Sequence, residues 1–146
     1  METPKTTRDT VMDLLSRIGT GDTDRIAELF AETVDWRLDW PESEHGRAGS
    51  PTPWIRHRTT RSEAAANFRE IAEHHVPESV DTQVERILVD DTDAVVLGEI
   101  RQTARPTGRA YTAWFALHVT VEDGRITRFH IYEDSLSVAQ AFTPAD

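Results

Sequence analysis

The stretch Tyr111-Thr112-Ala113-Trp114-Phe115-Ala116-Leu117-His118-Val119-Thr120-Val121-Glu122-Asp123-Gly124-Arg125-Ile126-Thr127-Arg128-Phe129-His130-Ile131-Tyr132-Glu133-Asp134 holds two segments of period two joined by an Asp-Gly pair. Alternation at that period marks half-buried strands, and Asp-Gly supplies the two positive-φ residues that a tight hairpin turn demands. In the first strand Tyr111, Ala113, Phe115, Leu117, Val119 and Val121 share the apolar face, leaving Trp114 and His118 on the other. In the second, Phe129 and Ile131 point inward together with Glu133, and Arg128, His130 and Tyr132 point outward.

Working back from this hairpin, two more strands are expected, from about Val80 to Val89 and from Ala94 to Arg105, which completes an antiparallel meander. The period before the meander is helical. Val11, Leu14, Leu15 and Ile18 form one apolar stripe that Gly19 and Gly21 stop, and Asp22 then caps a second helix with Ile26, Leu29 and Phe30 on its inner face. Val34, Trp36, Leu38 and Trp40 alternate with charged residues as a strand, and residues 41–59, rich in proline and glycine, read as one long loop. Thr60-Arg61-Ser62-Glu63 is a capping-box signature for a third helix with Ala64, Ala65, Phe68, Ile71 and Ala72 on its buried stripe. Leu136, Ala139 and Phe142 suggest a short closing helical turn, and residues 1–6 and 143–146 read as disordered tails. Helices grouped ahead of strands imply an α+β domain with the three N-terminal helices on the apolar, concave face of one sheet.

The 146 residues suit a single domain, with neither repeat nor linker to mark a second. Cysteine is absent, which excludes disulfides and thiolate chemistry and points to the cytoplasm, as does an N-terminus without a secretory apolar run. A net charge of −10 argues against nucleic acid, and Arg56, His57, Arg58 and Arg61 form only a short basic knot. No stretch is long and apolar enough for a membrane span.

The pattern predicts a pocket for a small apolar or aromatic metabolite between helices and sheet, lined by Leu14, Ile18, Trp36, Leu38, Trp40, Phe68, Tyr111, Phe115 and Leu117. Core packing explains Trp36 and Phe115 equally well. Trp54, in the polar loop, is read as a rim or lid contact, and His57 beside it as either a substrate contact or an exposed loop residue. Gln102 is either a polar orienter inside the pocket or a backbone partner at a sheet bend. Glu133 and Asp134 form one candidate catalytic site: an inward carboxylate is costly unless paired, hydrated or protonated, and desolvation would raise its pKa toward acid/base values, whereas at a finished strand the pair would be solvated or would cap the next turn. His118, His130, Trp114 and Tyr132 give the outer face an aromatic character suited to a sheet-to-sheet homodimer. His74 and His75 diverge on a helix and complement its C-terminal dipole. No metal, nucleotide or phosphate-loop motif is present, so cofactor-free chemistry is expected.

Gly21-Asp22, Leu29-Phe30-Ala31-Glu32, Val34-Asp35-Trp36, Pro53-Trp54, Thr107-Gly108-Arg109 and the run from Glu122-Asp123-Gly124-Arg125-Ile126 to Tyr132-Glu133-Asp134 resemble, in order and spacing, the nuclear transport factor 2-like superfamily, in its ketosteroid isomerase-like and SnoaL-like branch. The resemblance spans nearly the whole chain. It implies a conical α+β barrel, a deep pocket and a dimer. It also implies that ketosteroid isomerase chemistry is missing, because the positions matching the base, the tyrosine and the second acid are Leu38, Leu14 and Leu117. The aspartate that serves as acid and base in SnoaL-like cyclases matches Asp134. The resulting expectation is a cofactor-independent cyclase or isomerase acting on a hydrophobic polyketide-like metabolite. The alternatives are a non-catalytic binding protein and an epoxide hydrolase-like enzyme, the latter disfavoured by the outward parity of Arg101.

Overall fold

The structure is a computed structural model that describes residues 6–38 and 52–144. Helix α1 (Thr7–Thr20) opens on a complete capping box, with Thr6 Oγ1 accepting from Asp9 N and Asp9 accepting from Thr6 N. Thr6 is therefore the N-cap of this helix. Gly21 closes the helix at φ 76°, where a Cβ would be strained, and α2 (Thr23–Ala27) starts at once from its cap, Asp22. This second helix is shorter than the apolar pattern suggests, because Phe30 already belongs to strand β1 (Phe30–Leu38).

A second difference lies in the presumed long loop. Its last residues form β2 (Arg58–Thr60), which pairs antiparallel with β1 and leads through the Thr60 cap into α3 (Arg61–His74). On α3 the buried positions are Ala64, Ala65 and Asn67, with Phe68 half-buried, while Ala72 is exposed. Strands β3 (Asp81–Asp90), β4 (Asp93–Thr103), β5 (Ala110–Glu122) and β6 (Arg125–Glu133) form the expected meander. Asp123 and Gly124 both adopt positive φ, 52° and 75°, as the hairpin requires.

The six strands form one curved, unclosed sheet in the order β2-β1-β6-β5-β4-β3, antiparallel throughout except where β1 runs parallel to β6. Four helices accompany it among the described residues; the last, α4 (Ser135–Phe142), buries Val138, Ala141 and Phe142, whereas Leu136 is 66% exposed. Thr143 caps the end of α4, its backbone N–H donating to Gln140 O and its hydroxyl to Ala139 O at 2.8 Å. Inside, Trp36 stacks on Phe129 at 4.0 Å between ring centroids and meets Phe30 and Phe68 at 5.7 Å each. Gly98 lets the Phe115 ring lie against β4; a Cβ there would stand 3.0 Å from that ring and 2.4 Å from Gln83 O. The fold is α+β, a six-stranded cone-like sheet with helices on its concave side.

Candidate active site

Parity on the hairpin survives in three dimensions. Ala113, Phe115, Leu117, Val119 and Val121 are buried, and Glu133 sits directly across from Phe115, so its carboxylate belongs to the inner face. Its neighbour Asp134 does something else. Asp134 is the N-cap of α4, accepting from Ser137 N at 3.1 Å and from the Ser137 hydroxyl. Those two bonds hold its carboxyl below the ordinary aspartate range, the reverse of what a general acid needs. The strand end thus divides the pair, and Glu133 is the inward member.

Near Glu133 lies a chain of polar groups. His75 is 2% exposed; its Nδ1 is 2.6 Å from Ile71 O, and its Nε2 is 2.6 Å from the Tyr111 hydroxyl, which in turn lies 2.6 Å from Gln102 Oε1. A backbone carbonyl can only accept, so Nδ1 carries a proton. If Tyr111 donates to Gln102, then His75 must donate from Nε2 as well and be an imidazolium. Burial pulls the His75 pKa down and so favours the neutral ring. In that state Nε2 accepts from Tyr111, and the Gln102 carboxamide turns its nitrogen toward the phenol oxygen; the two amide orientations have the same shape. Burial, and then the charge of Glu133, push the Tyr111 pKa up, so Tyr111 stays a phenol and a donor.

This arrangement predicts a pH effect on stability. The folded pKa of His75 lies below that of the unfolded chain, so the unfolded state binds more protons once the pH drops through the unfolded value of about 6.5. Stability contributed by keeping His75 neutral is complete above that pH and declines below it, with a slope of at most about 1.4 kcal/mol per pH unit. Urea unfolding of wild type and His75→Gln between pH 7.5 and 5 should show a steeper acid loss in the wild type. Parallel slopes would remove His75 as the cause.

The other sequence candidates sort cleanly. Leu14, Trp36, Leu38, Phe115 and Leu117 belong to the buried core, with Ile18, Phe68 and Tyr111 packed against it. Trp54 is not at a rim: it is 4% exposed and its ring meets His74, His75 and Phe142 at 5.1–5.4 Å, because β2 and α3 draw the end of the loop into the interior. His57 is exposed. Trp40 lies outside the described residues. Arg101 projects from the outer face, 2.6 Å from Glu99, and so stays away from Glu133. Arg58, a member of the short basic knot, is 2% exposed and bonded to Glu70 at 2.9 Å. His75 is the residue the sequence reading missed. Its helical neighbours suggested only a dipole contact, and its burial comes from the bridge it forms with Ala104, far along the chain. No group of three or more possible metal-ligating side chains occurs among the described residues, and no described helix is long and apolar enough to cross a membrane.

A helix-covered cone of mostly antiparallel strands is the nuclear transport factor 2-like architecture. Within that class the chain belongs to the SnoaL-like domain family, whose pattern matches residues 11–129. Similar solved structures include a nuclear transport factor 2-like protein of Burkholderia thailandensis, 21% identical, with a TM-score of 0.79 over 95% of this chain and 98% of that one. A candidate SnoaL-like polyketide cyclase of Jannaschia sp. is 18% identical, with a TM-score of 0.74 over 100% and 99% of the two chains. A candidate isomerase of Rhodopseudomonas palustris is 16% identical, with a TM-score of 0.72 over 90% and 94%. At these identities the likeness is one of fold. No curated protein matches the sequence at a significant level.

Proposed function

We propose that this protein is a cofactor-independent cyclase or isomerase of a hydrophobic, polyketide-like metabolite in the cytoplasm, with Glu133 as the proton-transfer group. The observation that carries the reading is Glu133 on the inner face across from Phe115, close enough to raise the pKa of the Tyr111 phenol. Glu133 takes a proton from a carbon next to a carbonyl, and the bonding pair moves into the carbon–carbon bond of the enolate. In cyclisation the enolate carbon attacks a second carbonyl of the same molecule, and the protonated Glu133 returns its proton to the new alkoxide. In isomerisation the proton returns to a different carbon. Tyr111, kept a phenol by burial and held between His75 and Gln102, lines the inner face near this carboxylate. Two of the structural neighbours are described as a candidate cyclase and a candidate isomerase, which supports this class of chemistry.

The test is turnover of an identified substrate, or solvent deuterium uptake into it, by wild type, Glu133→Gln and Asp134→Asn. Loss confined to Glu133→Gln supports the reading; a wild-type rate in Glu133→Gln sinks it. The second reading, a binding protein without chemistry, is favoured by the leucines at 14, 38 and 117, all of them in the core. Recovery of a tightly bound ligand unchanged after long incubation would select it.

The reading includes a homodimer through the outer sheet face. Trp114, Tyr132 and Leu88 stand there 58%, 49% and 48% exposed. The carboxylates around them lie beside side chains of their own chain, Asp93 beside His118 at 2.8 Å, Asp35 beside His130 at 3.0 Å and Glu99 beside Arg101 at 2.6 Å. Carboxylates held in this way repel a second copy less than bare ones. Trp114→Lys should weaken association at least tenfold in sedimentation equilibrium. A wild type that stays monomeric at tens of micromolar would end this part of the proposal.

A further inference from the structure

Between α3 and the β1–β2 edge, three polar side-chain atoms are enclosed and unpartnered: Trp36 Nε1, Arg58 Nε and Asn67 Oδ1. Their residues are 1%, 2% and 3% exposed, so water at the surface cannot satisfy them. A polar group enclosed without a partner is costly to leave bare. Three on one strand pair and the helix packed over it are a reason to look for what they hold.

The fold brings them to one layer. Trp36 and Arg58 are direct register partners on β1 and β2, so their side chains rise from the same face of the sheet. Arg58 reaches α3 at two points, donating to Glu63 O at 2.8 Å and to Glu70 Oε2 at 2.9 Å. Asn67 lies four residues after Glu63 and three before Glu70, on the same helix stripe. The Trp36 ring meets that helix at Phe68, 5.7 Å between centroids.

We propose that these three residues form a buried binding site for a single hydroxyl oxygen, supplied either by a water molecule or by an alcohol or phenol. With Asn67 oriented so that its Oδ1 is the unpartnered atom, the donor and acceptor count selects this chemistry. The indole N–H and the guanidinium Nε–H can only donate, and the amide oxygen can only accept. A hydroxyl oxygen accepts twice and donates once, which satisfies all three. A carbonyl or carboxylate would leave Asn67 Oδ1 unmatched, and an ammonium would leave both donors unmatched. Phe30, Phe68 and Phe129 pack around the indole, so an organic guest would carry its hydroxyl on an apolar, preferably aromatic body. The inference is independent of the chemistry assigned to Glu133.

Nitrogen-15-labelled full-length protein tests it through the indole N–H resonance of Trp36, identified by its shift in Asn67→Leu and its absence in Trp36→Phe. The expected result is a cross-relaxation peak from that proton to a long-lived water, weakened or lost in Asn67→Leu. Added phenol should displace the water and shift the resonance where toluene, the same shape without the hydroxyl, does not, and Asn67→Leu should bind phenol at least tenfold more weakly. A water peak that phenol never displaces assigns the site to water; a phenol-specific shift assigns it to a ligand hydroxyl. A Trp36 indole proton with no water contact and an equal response to phenol and toluene overturns the proposal. Glu133→Gln should leave all of these signals in place, which separates this outcome from that of the catalytic reading.

Discussion

Trp36→Ala is expected to cost about 3–5 kcal/mol of stability, the range for removing a large aromatic from a packed interior. The indole is 1% exposed, lies parallel to Phe129 at 4.0 Å and 13°, and meets Phe68 nearly edge-on at 82°. Its strand is held on both sides, by β2 and by β6, so the backbone cannot move in to fill the space. Rings stacked in this way add to the area term, since offset and edge-on pairs contribute about 0.5–1.5 kcal/mol each. Urea denaturation should show a large drop in midpoint with little change in slope. A loss below about 1 kcal/mol would mean that the site relaxes freely and that the aromatic stack is not the centre of the core.

The second large effect is catalytic. Glu133→Gln should lower turnover about 10²–10⁴-fold, the usual contribution of a positioned proton-transfer group. Glutamine keeps the length and much of the hydrogen bonding of glutamate but cannot take up a proton. Asp134→Asn is the informative contrast, because asparagine caps a helix about as well as aspartate does. Turnover there should stay near wild type and α4 should remain in place. Equal losses in the two variants would point to a disturbed strand end and not to proton transfer by Glu133.

Much of the fold was legible before any tertiary contact was known. The alternation from Tyr111 to Val121 and the Asp123-Gly124 turn name a hairpin and its inner face, because side-chain direction in a strand and positive φ in a tight turn are local properties. The caps at Asp22 and Thr60 announce helix starts for the same reason. Helix α2 was overextended because Leu29 and Phe30 continue an apolar spacing that both a helix and a strand can bury, and pairing with β6 at Phe30 decided for the strand.

The candidate site was legible only in part. Gln102, Tyr111 and Glu133 could be placed inside by parity, yet the hydrogen-bonded chain needs His75, which is 36 residues from Tyr111 in sequence. Arg58 reads as a surface charge until Trp36 is its strand partner and Glu70 offsets it. Trp54 reads as a rim residue until the end of its loop becomes a sheet edge.

By itself, then, the sequence determined most of the element types, the inner face of the hairpin, the helix caps and the family, all of which depend on periodicity, turn chemistry and residue order along the chain. Only the tertiary structure decided that Asp134 caps a helix and so parts from Glu133, that His75 completes a buried hydrogen-bonded chain, and that Arg58 is buried against α3. Those outcomes depend on which distant strand or helix supplies the partner. The free energy of a buried polar group is set by that partner and not by its neighbours in sequence.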